Sequence, residues 1–91
     1  MEFEYDPWKS LVDTDKHGID FVQAQALWND SNLSIVVATS EREPRQIATG
    51  KIGNRYWTAI FTLRGPVTRL ISVRRARREE IESYEEKKGL D

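Results

Sequence analysis

Cysteine is absent from the 91-residue chain, and histidine occurs once, at position 17. The first absence excludes disulfides, thiolate zinc sites and Cys nucleophiles; the second excludes a multi-histidine metal site within one chain. No apolar run approaches the roughly 18 residues of a membrane span, and the acidic N-terminus lacks the basic and apolar regions of a secretory signal. The expectation is a cytoplasmic protein with no cofactor and no metal. Its chemistry must come from Arg, Lys, carboxylates, hydroxyls and one imidazole. Ninety-one residues leave room for a single domain, 1–91, built on one modest core.

What the chain does have is charge in blocks. Charged residues make up 32% and hydrophobic ones 38%, with three each of Trp, Tyr and Phe to support a fold. The net charge of -1 conceals -6 over residues 1–41, +9 over 42–78 and -4 over 79–91. The middle of the chain is therefore a cationic surface, a pattern suited to nucleic acid or an acidic partner.

Local signals give the elements. Asp6 as N-cap and Pro7 at the first helical position start a helix that ends near His17, with Gly18 able to take the left-handed position after it. Asp20 and Gln23 repeat the start signal as a capping box, and Phe21, Ala24, Leu27 and Trp28 supply an apolar stripe up to Asn29. Trp8 and Trp28 both read as core. Strands follow at 33–38, 45–52, 55–63 and 67–74, rich in β-branched and aromatic residues. The intervening segments, 39–44, Gly53-Asn54 and 64–66, are too short for crossover helices, so the strands form an antiparallel meander. Residues 77–88 read as a solvated helix pinned by Ile81 and Tyr84. The expected fold is α+β: two N-terminal helices, a four-stranded antiparallel meander sheet and a C-terminal helix.

The ordered set Asp6-Pro7-x-Lys9, Lys16-His-Gly-Ile-x-Phe21, Ala24, Arg45, Gly50, Phe61-Thr-x-Arg-Gly65, Arg69-x-Ile-Ser-x-Arg-x-Ala76 and Glu80-x-x-x-Tyr84 resembles the BrnT toxins from residue 2 to about 86. The chain departs from the family pattern at Asp13, where Asn is usual, and at Val73, where Ala is commoner. The resemblance implies a type II toxin–antitoxin toxin with a RelE/ParE-like fold, a ribonuclease that arrests translation. It also implies a BrnA-like antitoxin with a ribbon-helix-helix DNA-binding part, assembled with the toxin as a hetero-oligomer.

Cutting RNA without metal requires a base for the 2′-hydroxyl, an acid for the leaving oxygen and cations for the phosphorane. Arginine suits the last task because its planar fork grips two phosphate oxygens. Strict alternation along 67–74 puts Thr68, Leu70, Ser72 and Arg74 on one face and Val67, Arg69, Ile71 and Val73 on the other. Arg74 then lies on the open face, with Arg75 and Arg64 near the rim and Arg69 opposite. The candidate catalytic residues are Arg64, Arg74, His17, Tyr84 and Glu80; candidate substrate contacts are Lys16, Arg75, Tyr56 and Arg69. Each has a plain alternative. The arginines could pair with Glu79, Glu80 or Glu82, His17 could cap its helix, Lys16 could be a surface cation, and Tyr84 could anchor the last helix. Tyr56, on the face opposite Trp57 and Phe61, is either a base-stacking ring or part of the packing. A non-catalytic nucleic-acid-binding module and a protein-interaction domain using the cationic sheet face remain as alternatives.

Overall fold

The computed structural model describes residues 1–38 and 44–89, so the segment expected to link the first two strands of the meander lies, except for Pro44, outside the described residues. Among the described residues three α-helices accompany a five-stranded sheet: β1 (Glu2–Glu4), α1 (Pro7–His17), α2 (Phe21–Ala24), β2 (Ser34–Ala38), β3 (Arg45–Ile52), β4 (Arg55–Arg64), β5 (Val67–Arg75) and α3 (Arg78–Gly89). The sheet order is β1-β5-β4-β3-β2, and β2 to β5 form the antiparallel meander.

The local signals operate as chemistry requires. Asp6 accepts from the Trp8 amide at 2.9 Å, and Gly18 closes α1 at φ 80° with its amide on the Thr14 carbonyl. Ser10 of α1 accepts the Phe21 amide at 2.9 Å, tying α1 to the Asp20–Gln23 capping box that starts α2. Gly53 and Gly65 have positive φ while the residues after them do not, the pattern of type II′ turns that match strand twist.

Three expectations are corrected. The sheet has a fifth strand: β1 pairs in parallel with β5, Glu2 opposite Val67 and Glu4 opposite Arg69. The second N-terminal helix is one α-turn followed by a 3-10 turn over Gln25–Asn29. The fully buried Ala24 and Leu27, three apart, fit that tighter winding, and Asp30 then holds the chain against β3 by accepting the Lys51 amide at 2.9 Å. Trp8 is 71% exposed, because the inward face of α1 carries Ser10 and Asp13 instead. Trp28 does pack as expected, edge-on between Phe3 and Phe61.

Asp13 explains how α1 sits. β1 covers β5 only from Val67 to Arg69, and the Asp13 carboxylate, 2% exposed, accepts the Val73 amide at 2.9 Å and the Ser72 hydroxyl at 3.2 Å. Lys9 lies 3.3 Å from its other oxygen. A helix-borne carboxylate thus finishes the edge that β1 leaves open.

The core joins Ile19, Phe21, Ala24 and Leu27 to Ala48, Trp57, Ala59, Phe61, Leu70 and Val73. Leu70 and Val73 share this face because β5 carries a bulge: Ser72 pairs with Ile60 but Leu70 pairs with Phe61, leaving Ile71 as the extra residue.

Candidate active site

The bulge also decides where the cations go. Arg74, Ser72 and Arg69 stand opposite Thr58, Ile60 and Thr62, alternate residues of one β4 face to which Arg64 also belongs. Strict alternation had separated Arg69 from Arg74; the extra residue at Ile71 brings them to the same side. α1, α2 and the 3-10 turn cover the opposite face, while α3 packs on β3 and β2. The β4–β5 half of this face is therefore arginine-bearing: α3 reaches it at the Arg74 end through Glu80, and the Arg64 and Arg69 side chains are 53% and 31% exposed. On it Glu4 of β1 lies between two cations, 3.5 Å from Arg69 and 3.9 Å from Arg64.

Arg74 is held. Its two terminal nitrogens meet the two Glu80 oxygens at 2.8 and 2.9 Å, and Nη1 also donates to the Arg75 carbonyl at 3.2 Å. Glu80 Oε1 further accepts the Arg77 amide at 2.8 Å and the Thr58 hydroxyl at 3.0 Å, and Thr58, fully buried, meets the Thr49 hydroxyl at 2.9 Å. Burial alone would raise the Glu80 carboxyl, but Arg74, the Arg77 amide and Thr58 outweigh it and hold it at about 2. The bond from Glu80 in turn raises Arg74. Glu80 is thus a fixed carboxylate at neutral pH, suited to orienting a guanidinium rather than moving a proton. Its end-on grip leaves the Nε–H side of Arg74 as a second donor edge.

Tyr84 and Glu80 lie on the same face of α3 but do not meet. Tyr84 is buried and donates to Asp30 Oδ2 at 2.8 Å; burial and that bond push its phenol up to about 12. Asp30 is lowered against its own burial by the Lys51 and Asn32 amides and the Tyr84 hydroxyl. Tyr56 stacks edge-on with Tyr84 at 5.7 Å, donates to Glu85, which raises its phenol, and carries the Lys51 ammonium 5.1 Å from its ring centre. Its place opposite Trp57 and Phe61 is as the alternation required.

His17, Lys16 and Arg75 lie elsewhere. Arg75 follows Arg74 on β5, points to the core side and sits 5.2 Å over the Trp57 ring. Gly18, next to His17, borders a shallow pocket with Ile52 and Trp57, so the end of α1 and Arg75 occupy the same end of the molecule. Lys16 is exposed beside Trp8 and Asp15. Among the described residues no hydrogen bond or ion pair joins His17 or Lys16 to Arg74, Glu80 or Tyr84. Sequence reasoning missed Thr49 and Thr58, although the two-residue turn at Gly53-Asn54 fixes them as a cross-strand pair. It also missed Asp13, whose partners are strand residues far along the chain. No cluster of three or more His, Cys, Asp or Glu side chains able to hold a metal occurs among the described residues.

The family model for the ribonuclease toxin BrnT, of type II toxin–antitoxin systems, matches residues 5–80. The chain belongs to the BrnT family. Among curated proteins none matches it. For a BrnT toxin the partner is an antitoxin and the chemistry that of a ribonuclease. The matched stretch includes the arginine face, Arg75, Lys16 and His17, and ends at Glu80, before Tyr84 and Glu85. No helix among the described residues is long and apolar enough to cross a membrane.

Proposed function

We propose that this BrnT-family chain is a metal-independent endoribonuclease that binds RNA on the arginine-bearing face of the sheet, cuts it and so arrests translation in the cytoplasm. The observation that carries the reading is that the bulge at Ile71 brings Arg69 and Arg74 to the sheet face that Arg64 of β4 also occupies. Arg69 and Arg64 grip backbone phosphates. Arg74, oriented by Glu80, offers its Nε–H edge to the charge that develops on the scissile phosphate. Tyr56, at the edge of the same face, stacks a base. Glu80 and Tyr84 serve as orienter and anchor; the His17 imidazole, the side chain best suited to accept a proton at neutral pH, stands off this face at the end of the molecule shared with Arg75. With one histidine and no cysteine, phosphate charge falls to the guanidinium groups.

A second reading is binding of RNA without cleavage. It is favoured by the absence of contact between His17 and the arginine face among the described residues, and by the Glu80 carboxyl and Tyr84 phenol being held at about 2 and about 12. Incubating purified protein with labelled RNA in EDTA separates the two. The expected result is cutting with products that end in 2′,3′-cyclic phosphate; binding without cutting sinks the enzymatic reading, and 3′-hydroxyl products or a requirement for Mg²⁺ sink the mechanism. The inhibitory partner is a BrnA-like antitoxin with a ribbon-helix-helix part.

A further inference from the structure

The two edges of the sheet are built differently. On one side β1 is three residues long and carries Glu2 and Glu4, and Asp13 satisfies the amide of Val73 where β1 ends. Short edges, charges and a capping group are the usual protection against pairing with another chain. On the other side β2 bonds, among the described residues, only to β3, and Ile35, Val36 and Val37 are 45%, 55% and 70% exposed. From Leu33 to Ala38 there is no charge and no proline. Val36 points to the arginine-bearing face, opposite Ile47, while Ile35 and Val37 point to the helix-covered one. Unguarded β-branched edges of this kind accept an added strand, whose main chain supplies affinity and whose alternate side chains supply selectivity.

A groove runs from this edge toward the candidate site. Its floor is Val36 and Ile47 with the hydroxyls of Ser34 and Thr49, and its wall on α3 is Glu79 and Glu80. An extended segment paired with β2 on its outer side therefore lies beside a channel that ends at the carboxylate holding Arg74. A second copy of this chain fits less well. A five-residue strand with three exposed apolar side chains falls well short of the roughly 800 Å² per partner that a stable dimer buries. A flexible segment instead adds contacts along the groove. We propose that β2 is the docking edge for the antitoxin, which adds an uncharged, β-branched segment as a sixth strand and continues into the groove beside Glu80. This rests on the toxin–antitoxin reading for the identity of the partner, and not on the cleavage mechanism.

The probe is the antitoxin encoded by the adjacent reading frame, co-expressed with the full chain. Val37→Lys is expected to weaken capture of the toxin by tagged antitoxin at least tenfold, while Val37→Thr changes it less than threefold. Cleavage of RNA by each toxin without antitoxin should equal the parent's, since Val37 is outside the arginine face. Amide exchange over 34–38 in the parent should slow when antitoxin is added, a readout that stands even if Val37→Lys does not fold. Unchanged capture of a folded Val37→Lys, or exchange at 34–38 unaffected by antitoxin, overturns the proposal. A parent toxin that sediments alone as a dimer which Val37→Lys dissolves also overturns it, in favour of a second copy. If the parent binds antitoxin through β2 yet cuts no RNA, only the catalytic reading fails.

Discussion

Replacing Glu80 by Gln removes the charge that grips Arg74 and keeps the shape. The Glu80 carboxyl titrates at about 2 in the folded chain against an ordinary 4.5, a gap equivalent to about 3 kcal/mol at roughly 1.4 kcal/mol per pH unit. Solvent reaches 17% of the Arg74 side chain and 14% of that of Glu80, so screening reduces the expected net contribution to about 1–2 kcal/mol. The sign follows from linkage. A carboxyl depressed by folding stabilises fully above its unfolded value, near 4.5, and loses that contribution as pH falls through its folded value, near 2. Urea unfolding of the parent and Glu80→Gln should therefore differ by about 1–2 kcal/mol at neutral pH, the gap holding down to about pH 5 and closing between about pH 5 and 2. A gap of unchanged size at both ends of that range would refute the assignment of Glu80 as the ionised partner of Arg74.

Three further outcomes follow from the same geometry. Arg74→Lys should stay folded but lose RNA cleavage by about 100-fold or more, because one ammonium cannot face Glu80 and a phosphate as two separate forks; cleavage at the parental rate would show that Arg74 is structural. Asp13→Ala should cost about 1–3 kcal/mol by leaving the Val73 amide unmatched, whereas Asp13→Asn retains an acceptor and should cost less than about 1 kcal/mol, both read by urea unfolding. Gly50→Ala should destabilise by about 1–3 kcal/mol in a thermal melt, since an added Cβ would meet Leu33 at 3.0 Å, Asp30 at 3.1 Å and Leu27 at 3.2 Å.

The parts of this molecule that were legible in its sequence are those fixed by neighbours along the chain. Asp6, Pro7 and Gly18 delimit α1 by local capping, and Gly53 and Gly65 close hairpins over two residues, so the strands of the meander could be read in order. β1 was not legible. Glu-Phe-Glu carries a single apolar residue, and only its distant partner Val67–Arg69 makes it a strand. The bulge was hidden for a related reason: Val-Thr-Arg-Leu-Ile-Ser-Val has two polar and then two apolar residues in succession, but only the demand that Leu70 and Val73 both reach the core makes Ile71 the extra residue. Arg74 fell on the expected face because the bulge precedes it, and Arg69 did not. That an arginine would pair with a carboxylate of α3 was foreseeable; that it would be Glu80 depends on how α3 crosses β4, which no local pattern records.

The pairing of β1 with β5 also sets when the molecule becomes whole. It joins residues far apart along the chain, Glu2 lying beside Val67. The hairpins β3–β4 and β4–β5 close over short stretches, whereas β1 has no partner until β5 is made. α3, which brings Glu80 to Arg74, emerges later still. A nascent chain thus presents Arg74 before Glu80 is made to orient it. A toxin built in this order has Arg74 oriented only after α3 is made.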